Sequence, residues 1–281
     1  MRIDLHTHSN ASDGKQSPAD VVQSAAEAGL DVVALTDHDT TAGWDEAAVA
    51  AKQHGIALVR GIEISCQHGG ISIHLLGYLQ DPAAPGLLEE LERSRESRET
   101  RARRIVERLS QDLPLSWDDV LEQIEPGATV GRPHIADAMV AKGIVTSREA
   151  AFADYLYDGS PYYISHYAPD PVLAVRLVGQ AGGVAVMAHP FAGARGPVVD
   201  DSVIEAMSTA GMAGLEVHHR DHNPDQVRHG LDLAASLGLF VTGSSDYHGD
   251  GKPNLLGENT TDPVVLQRIE SMATGVEVLR A

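Results

Sequence analysis

The sequence has a single cysteine, Cys66, so no disulfide can close within the chain, which agrees with a reducing compartment. No run of about 18 uncharged apolar residues occurs, which argues against a membrane-spanning helix. A secretory pattern is missing as well, because the only early cation is Arg2 and the apolar run is broken by Asp4 and His6. Together these absences lead to the expectation of a cytoplasmic protein. Positive charge is scarce: 21 Lys plus Arg stand against 40 Asp plus Glu, a formal charge of −19. A surface of that sign repels duplex DNA and anionic membranes. An anionic substrate therefore needs a local cation, which bound divalent metals would supply.

What is present is a folded-protein composition, 43% hydrophobic over 281 residues, enough for a barrel-sized core. Apolar, β-rich runs recur at Ile3–Leu5, Val32–Leu35, Ile56–Val59, Ile71–Leu76, Val184–Met187, Leu215–Val217 and Leu239–Thr242. Helical patterns lie between many of them, at Pro18–Ala28, Ala42–His54, Pro171–Ala181, Val203–Ala210 and Pro224–Leu237. Gly29, Gly55, Gly182 and Gly238 fall where left-handed helix caps belong. Such alternation predicts a mostly parallel sheet in an α/β fold, and about seven units suit a closed or distorted barrel.

The alternation stops at Asp81-Pro82-Ala83-Ala84-Pro85-Gly86, which reads as a linker, and resumes near residue 170. The chain thus divides into a barrel of residues 1–80 and 170–281 and a helical insertion of residues 81–169 that caps one barrel end. Its first helix, expected over Leu87–Leu113, carries Arg93, Arg95, Arg98, Arg101, Arg103, Arg104 and Arg108. They read as a solvated face with Glu89/Arg93 and Glu99/Arg103 pairs at i,i+4. Guidance of a polyanion toward the site is the other reading.

Function in barrels gathers at the carboxyl ends of strands, and metal-ligating residue types fall there. His6 and His8 end the first strand, where i and i+2 side chains share a face. His38 ends the second, Glu63 the third, His74 lies in the fourth, His189 ends the fifth, and Asp246 and His248 follow the last. With Asp13 these make nine donors, enough for two or three ions if a carboxylate bridges. Nitrogen and oxygen donors without thiolate suit Mn²⁺, Fe²⁺ or Zn²⁺. Asp37 and Asp39 adjoin His38 and read as orienting carboxylates. Arg195 reads as a loop residue able to touch phosphate.

The segments His6-Thr7-His8, Thr36-Asp37-His38, Ala188-His189-Pro190 and Asp246-Tyr247-His248, in this order and widely spaced, resemble the four motifs of the PHP (polymerase and histidinol phosphatase) family of metal-dependent phosphoesterases. The resemblance covers nearly the whole chain. It implies a distorted seven-stranded β/α barrel with a trinuclear site. It assigns His6, His8, Glu63 and Asp246 to a first ion, Glu63, His74 and His189 to a second, and Asp13, His38 and His248 to a third. Gly131-Arg132-Pro133-His134 is similar to a segment of one branch in which Arg and His hold substrate phosphate. Val217 to Gln226 is similar to that branch as well, with His222 at its histidine and His218-His219 where tyrosine is usual.

That branch implies hydrolysis of the 3′-phosphate of nucleoside 3′,5′-bisphosphates and 5′-to-3′ trimming of short RNA, by in-line attack of a hydroxide held on the ions. Arg132, His134 and His222 would bind substrate phosphate, and His134, His219 and His222 are candidate general acids. The expected partner is a phosphorylated small molecule, a nucleotide or short oligonucleotide. Two alternatives stand beside this reading. One is another small phosphomonoester, such as one like histidinol phosphate, or an amide as substrate of a metallohydrolase. The other is a noncatalytic, metal-stabilised nucleotide- or RNA-binding module.

Overall fold

The computed structural model describes residues 1–280. Seven strands form one sheet whose spatial order is the chain order: β1 (Ile3–Asp4), β2 (Val32–Leu35), β3 (Ala57–His68), β4 (Ile71–Tyr78), β5 (Val184–Met187), β6 (Gly214–His218) and β7 (Phe240–Gly243). Pairing is parallel from β1 to β3 and from β5 to β7, while β4 runs antiparallel to both neighbours. A bridge between Thr7 and Tyr247 joins the chain after β1 to the chain after β7, so the sheet curls into a nearly closed barrel.

The barrel helices are α1 (Pro18–Glu27) and α2 (Trp44–His54). The segment after β4 holds α3 (Pro85–Leu109), α4 (Trp117–Leu121), α5 (Arg132–Ala141) and α6 (Arg148–Ala151). The barrel then resumes with α7 (Pro171–Gln180), α8 (Asp201–Thr209), α9 (Pro224–Leu237) and α10 (Pro263–Met272). Four of these begin on one local signal, a short polar cap followed by proline: Ser17-Pro18, Asp170-Pro171, Asn223-Pro224 and Asp262-Pro263. The cap side chain accepts a first-turn N–H, and proline needs no partner there. Among the described residues no helix is long and apolar enough to cross a membrane.

Side-chain alternation divides the core. Val32 and Ala34 of β2 face inward with Ile3, Val59, Leu76, Val186 and Phe240, while Val33 and Leu35 face Val21, Val22 and Ala47 of α1 and α2. Leu266 and Ile269 of α10 close the inner cluster. The helices after β4 build a further core from Ile105, Leu109, Val120, Ile135 and Met139. Helix α3 belongs to two cores, since Leu87 and Leu91 in its first half pack with barrel residues.

Two sequence expectations change. The third strand does not stop near Val59: β3 leaves β2 after Arg60 and continues to His68 by pairing with β4 across Gly69-Gly70, so Glu63 lies within a strand rather than at its end. The arginines of α3 are not a uniformly solvated face. Arg98 and Arg101 are buried, and Arg95 donates to the Asp39 carbonyl at 2.8 Å. Arg93 lies over the ring of Tyr167 at 3.7 Å, and the Glu99/Arg103 pair is present at 2.7 Å. Barrel-side contact on this helix pulls guanidinium groups inward, which helical spacing alone does not reveal.

Candidate metal centre

Buried carboxylates fix the loops that carry the donors. Asp4, at the end of β1, accepts backbone N–H groups from His6 (3.4 Å), Ser245 (3.0 Å) and Gly257 (2.9 Å), tying the first and last donor segments together. Burial pushes its carboxyl up to about 6 against those hydrogen bonds. Asp37 holds the loop leading to Asp13 by accepting the Ser9 N–H and the hydroxyls of Ser9 and Ser12, each at 2.7 Å. Asp39, His189 and Asp246 have φ of 53°, 29° and 55°, left-handed conformations that non-glycine residues seldom adopt. With Leu79, these are the four non-glycine residues of positive φ among the described residues, and three of the four stand on or beside expected donors.

The nine expected donors converge. Glu63 is the centre: its Oε2 lies 3.2 Å from His6 Nε2, 3.1 Å from His8 Nε2 and 3.2 Å from His38 Nδ1. Its Oε1 lies 2.8 Å from His74 Nδ1 and 3.2 Å from His189 Nε2. Asp246 Oδ1 stands 3.5 Å from His6 Nε2 and 3.3 Å from His8 Nε2. Asp13 Oδ1 is 3.3 Å from His248 Nε2, and its Oδ2 is 4.0 Å from His38 Nε2. Three groups have donor atoms close enough to share an ion: His6, His8, Glu63 and Asp246; His38, Glu63 and His74; and His8, Asp13, His38 and His248.

The local chemistry fits ions. His8 Nδ1, His38 Nδ1, His74 Nδ1 and His248 Nε2 are buried without a hydrogen-bond partner, although carboxylate oxygens stand close to them. The ring nitrogens of His6 and His8 approach each other to 3.0 Å. Buried lone pairs aimed at a common point are costly unless something positive lies between them.

Electrostatics agrees. Burial disfavours the charge on His6 and His8, yet Glu63, Glu216 and Asp246 hold His6 well above the usual imidazole range, and Asp246 and Glu63 bring His8 to about 9. Burial lowers His38, and burial with Arg195 takes His189 to about 3. His248 falls to about 4, through burial and the Lys252 charge. Burial opposes ionisation of Glu63 and Asp246, but imidazoles around Glu63, and Lys252 with Arg195 beside Asp246, hold both well below the ordinary carboxylate range.

Sequence reasoning missed two residues, Glu216 and Lys252, and read Arg195 without its carboxylate partners. Glu216 lies on β6, fully buried, with Oε1 3.0 Å from His6 Nδ1 and Oε2 accepting the His189 N–H at 2.9 Å. It fixes the ring orientation of one donor and the backbone of another. The signal was a lone carboxylate between Leu215 and Val217. Lys252 reaches Asp246 Oδ2 at 3.0 Å. Arg195 spans Asp221 and Asp246, each at 2.6 Å, so its loop position brings it onto a donor.

The expected substrate residues come from two places: Arg132 and His134 share the first turn of α5, and the His219 and His222 rings lie 5.7 Å apart after β6. His134, at the start of α5, accepts the Gly131 N–H on Nδ1 at 3.1 Å, which puts its ring proton on Nε2, and burial pulls it below the usual imidazole range. His219 accepts the Asp221 N–H on Nδ1 at 3.1 Å. Its buried Nε2 has no partner and faces Asp246 Oδ2 at 3.7 Å. Arg132 gives Nη1 to the Leu156 carbonyl at 2.8 Å and pairs with Asp158. His222 is held by backbone. Its Nδ1–H donates to the Val217 carbonyl at 2.8 Å and its Nε2 accepts the Phe191 N–H at 3.2 Å. With both ring nitrogens engaged by backbone, His222 braces the loop after His189.

A nearly closed barrel with buried histidines and carboxylates converging at one end defines a metal-dependent hydrolase. Comparison with known proteins names the family. The PHP domain matches residues 4–112. The chain is 35% identical over 251 residues to the 3′,5′-nucleoside bisphosphate phosphatase of Chromobacterium violaceum, covering 89% of this chain and 88% of that one. It is 34% identical over 249 residues to a 5′-3′ exoribonuclease of Haemophilus influenzae, covering 88% and 90%. The structure of a presumptive metal-dependent phosphoesterase from Bifidobacterium adolescentis matches with a TM-score of 0.95 at 43% identity, over 97% of this chain and 96% of that one. The chain belongs to the PHP family and is a metal-dependent phosphoesterase.

Proposed function

We propose that this protein hydrolyses a phosphate monoester on a nucleotide carrying a second phosphate, first of all the 3′-phosphate of a nucleoside 3′,5′-bisphosphate, and that 5′-to-3′ trimming of short RNA draws on the same site. The observation that carries this is the set of five imidazoles around the one buried carboxylate of Glu63. His6, His8, Glu63 and Asp246 would hold one ion, Glu63, His74 and His189 a second, and Asp13, His38 and His248 a third, of Mn²⁺, Fe²⁺ or Zn²⁺. Bound there, divalent ions supply an activated water and neutralise charge on the phosphoryl and leaving oxygens.

The chain's own residues supply orientation, fixed charge and hydrogen-bond donors. Glu216 holds the His6 ring in one tautomer, with the proton on Nδ1 and Nε2 free to ligate. Arg195 and Lys252 place two fixed cations beside Asp246, where a phosphate oxygen would gain charge. His219 is proposed to donate a hydrogen bond from Nε2–H to the leaving oxygen, because that N–H has no other partner and stands at the edge of the cluster. His134 presents an Nε2–H from the insertion side, and Arg132 contributes to holding the second phosphate. Residues 81–169 would act as the cap that admits small or single-stranded substrates. In a Mn²⁺-supplemented assay we expect phosphate release from adenosine 3′,5′-bisphosphate. No release from it, with turnover of p-nitrophenyl phosphate or an amide instead, would move the reading to another metallohydrolase reaction.

A further inference from the structure

Helix α3 carries an arginine whose situation the metal chemistry leaves unexplained. Arg101 is 6% exposed, and among the described residues no carboxylate lies within salt-bridge distance of it. Its Nη1 donates to His166 Nδ1 at 2.9 Å, and its Nε is buried without a partner. Because His166 accepts on Nδ1, its proton sits on Nε2, and that atom is also buried without a partner. One hydrogen-bonded pair thus presents two unanswered donors in a place where water is largely excluded. Such groups are expensive to bury unless an acceptor completes them.

The surroundings state the charge of that acceptor. Arg98, one turn earlier on α3, and Arg132, at the start of α5, both act on Arg101 and on His166 as neighbouring positive charges, with Tyr163 and Asp158 the opposing groups near Arg101. Burial and the two arginines lower the Arg101 guanidinium to about 9, and burial with the same cations takes His166 to about 2. Arg98 has its own counterion in Asp39 at 2.7 Å, and Arg132 has Asp158. Arg101 has none. The cluster also adjoins the metal centre: Arg98 bonds to Ser65, and Ser65 is the cross-strand partner of His74.

We propose that Arg101 and His166, with Arg132 beside them, form a second anion subsite that holds the phosphate of the substrate that is not cleaved. This rests on the phosphoesterase reading above and adds to it a reason for preferring nucleotides with two phosphates. A guanidinium Nε–H and an imidazole Nε2–H, both without a partner, match a phosphate dianion bound away from the ions.

The test compares Arg101→Met and Arg101→Lys with the native protein, metal-loaded, on adenosine 3′,5′-bisphosphate and on p-nitrophenyl phosphate, which has a single phosphate. The ratio of kcat/KM for the first over the second should fall by about tenfold to a hundredfold in Arg101→Met, the weight of a charged hydrogen bond, and Arg101→Lys should recover part of it. Calorimetric titration with adenosine 5′-monophosphate should show weaker binding to Arg101→Met by a similar factor. An unchanged ratio with unchanged nucleotide binding, or equal loss on both substrates, would overturn the subsite. Absence of hydrolysis of either compound by the native protein would instead defeat the phosphoesterase reading, and the nucleotide titration would still decide whether Arg101 binds phosphate.

Discussion

Glu216 shows how much of this centre depends on residues that touch no ion. Its two oxygens hold the His6 ring and the His189 backbone, so Glu216→Gln keeps the shape but turns an N–H toward one of two donors. We expect a 10–100-fold loss of metal affinity or phosphate release, read by metal titration and a phosphate assay, with little change in far-ultraviolet circular dichroism. His8 supplies a pH test. Its pKa rises from an ordinary value of about 6.5 to about 9, so the metal-free protein carries a proton there at neutral pH that an ion must displace. Apparent metal affinity should climb from pH 6 toward 9, and calorimetry in buffers of different ionisation enthalpy should show proton release. The same shift stabilises the metal-free fold fully below about 6.5, and that stabilisation is lost as pH rises through 9.

At this scale the convergence of these side chains was legible because histidines at the ends of apolar runs have few structural reasons to be there. Glu216 escaped notice because a carboxylate inside a strand leaves no spacing pattern. His222 was legible as a histidine but not as one occupied by backbone, since the bonds to Val217 and Phe191 exist only in the folded chain.

Among the elements, the loop from Ser9 to Gly14 bears the most constraint. Asp37 clamps it from β2's end, and Gly14 donates its N–H to the Ser9 carbonyl at 2.9 Å. A Cβ on Gly14 would run into the His8 carbonyl. Gly14→Ala should therefore displace Asp13, and elemental analysis should find a lower metal content in a protein that remains folded. From outside, Arg148 bonds to both oxygens of Asp137 at 2.6 Å and to the Asp13 carbonyl at 3.2 Å, so the helices after β4 reach the same loop. The alternation of strands and helices was readable because caps, glycines and apolar runs agree on it. The β3–β4 hairpin was not, because a continuous strand and two short ones look alike until pairing is known. Nor was the inward turn of Arg98 and Arg101, for α3 reads as amphipathic and charged whichever surface covers it.

For the whole molecule, charge and stability meet at the metal centre. A chain of formal charge −19 that gathers carboxylates at one barrel end gains from any bound cation, both locally and against its own repulsion. Ions that bind only the folded state should stabilise it by about 2.7 kcal/mol each at a hundredfold excess over Kd. Exhaustive chelation should accordingly lower Tm, and Mn²⁺ or Zn²⁺ should restore it in a concentration-dependent way, followed by differential scanning calorimetry. A Tm indifferent to chelator would mean that the cluster is held by hydrogen bonds alone.

The most direct measurement is the number of ions and their positions, obtained by elemental analysis of protein prepared without chelator and by anomalous scattering from its crystals. We expect two or three ions, with Glu63 shared between two of them and no peak away from the nine donors. A single ion, or ions bound elsewhere while these side chains remain paired with one another, would contradict a multinuclear phosphoesterase centre.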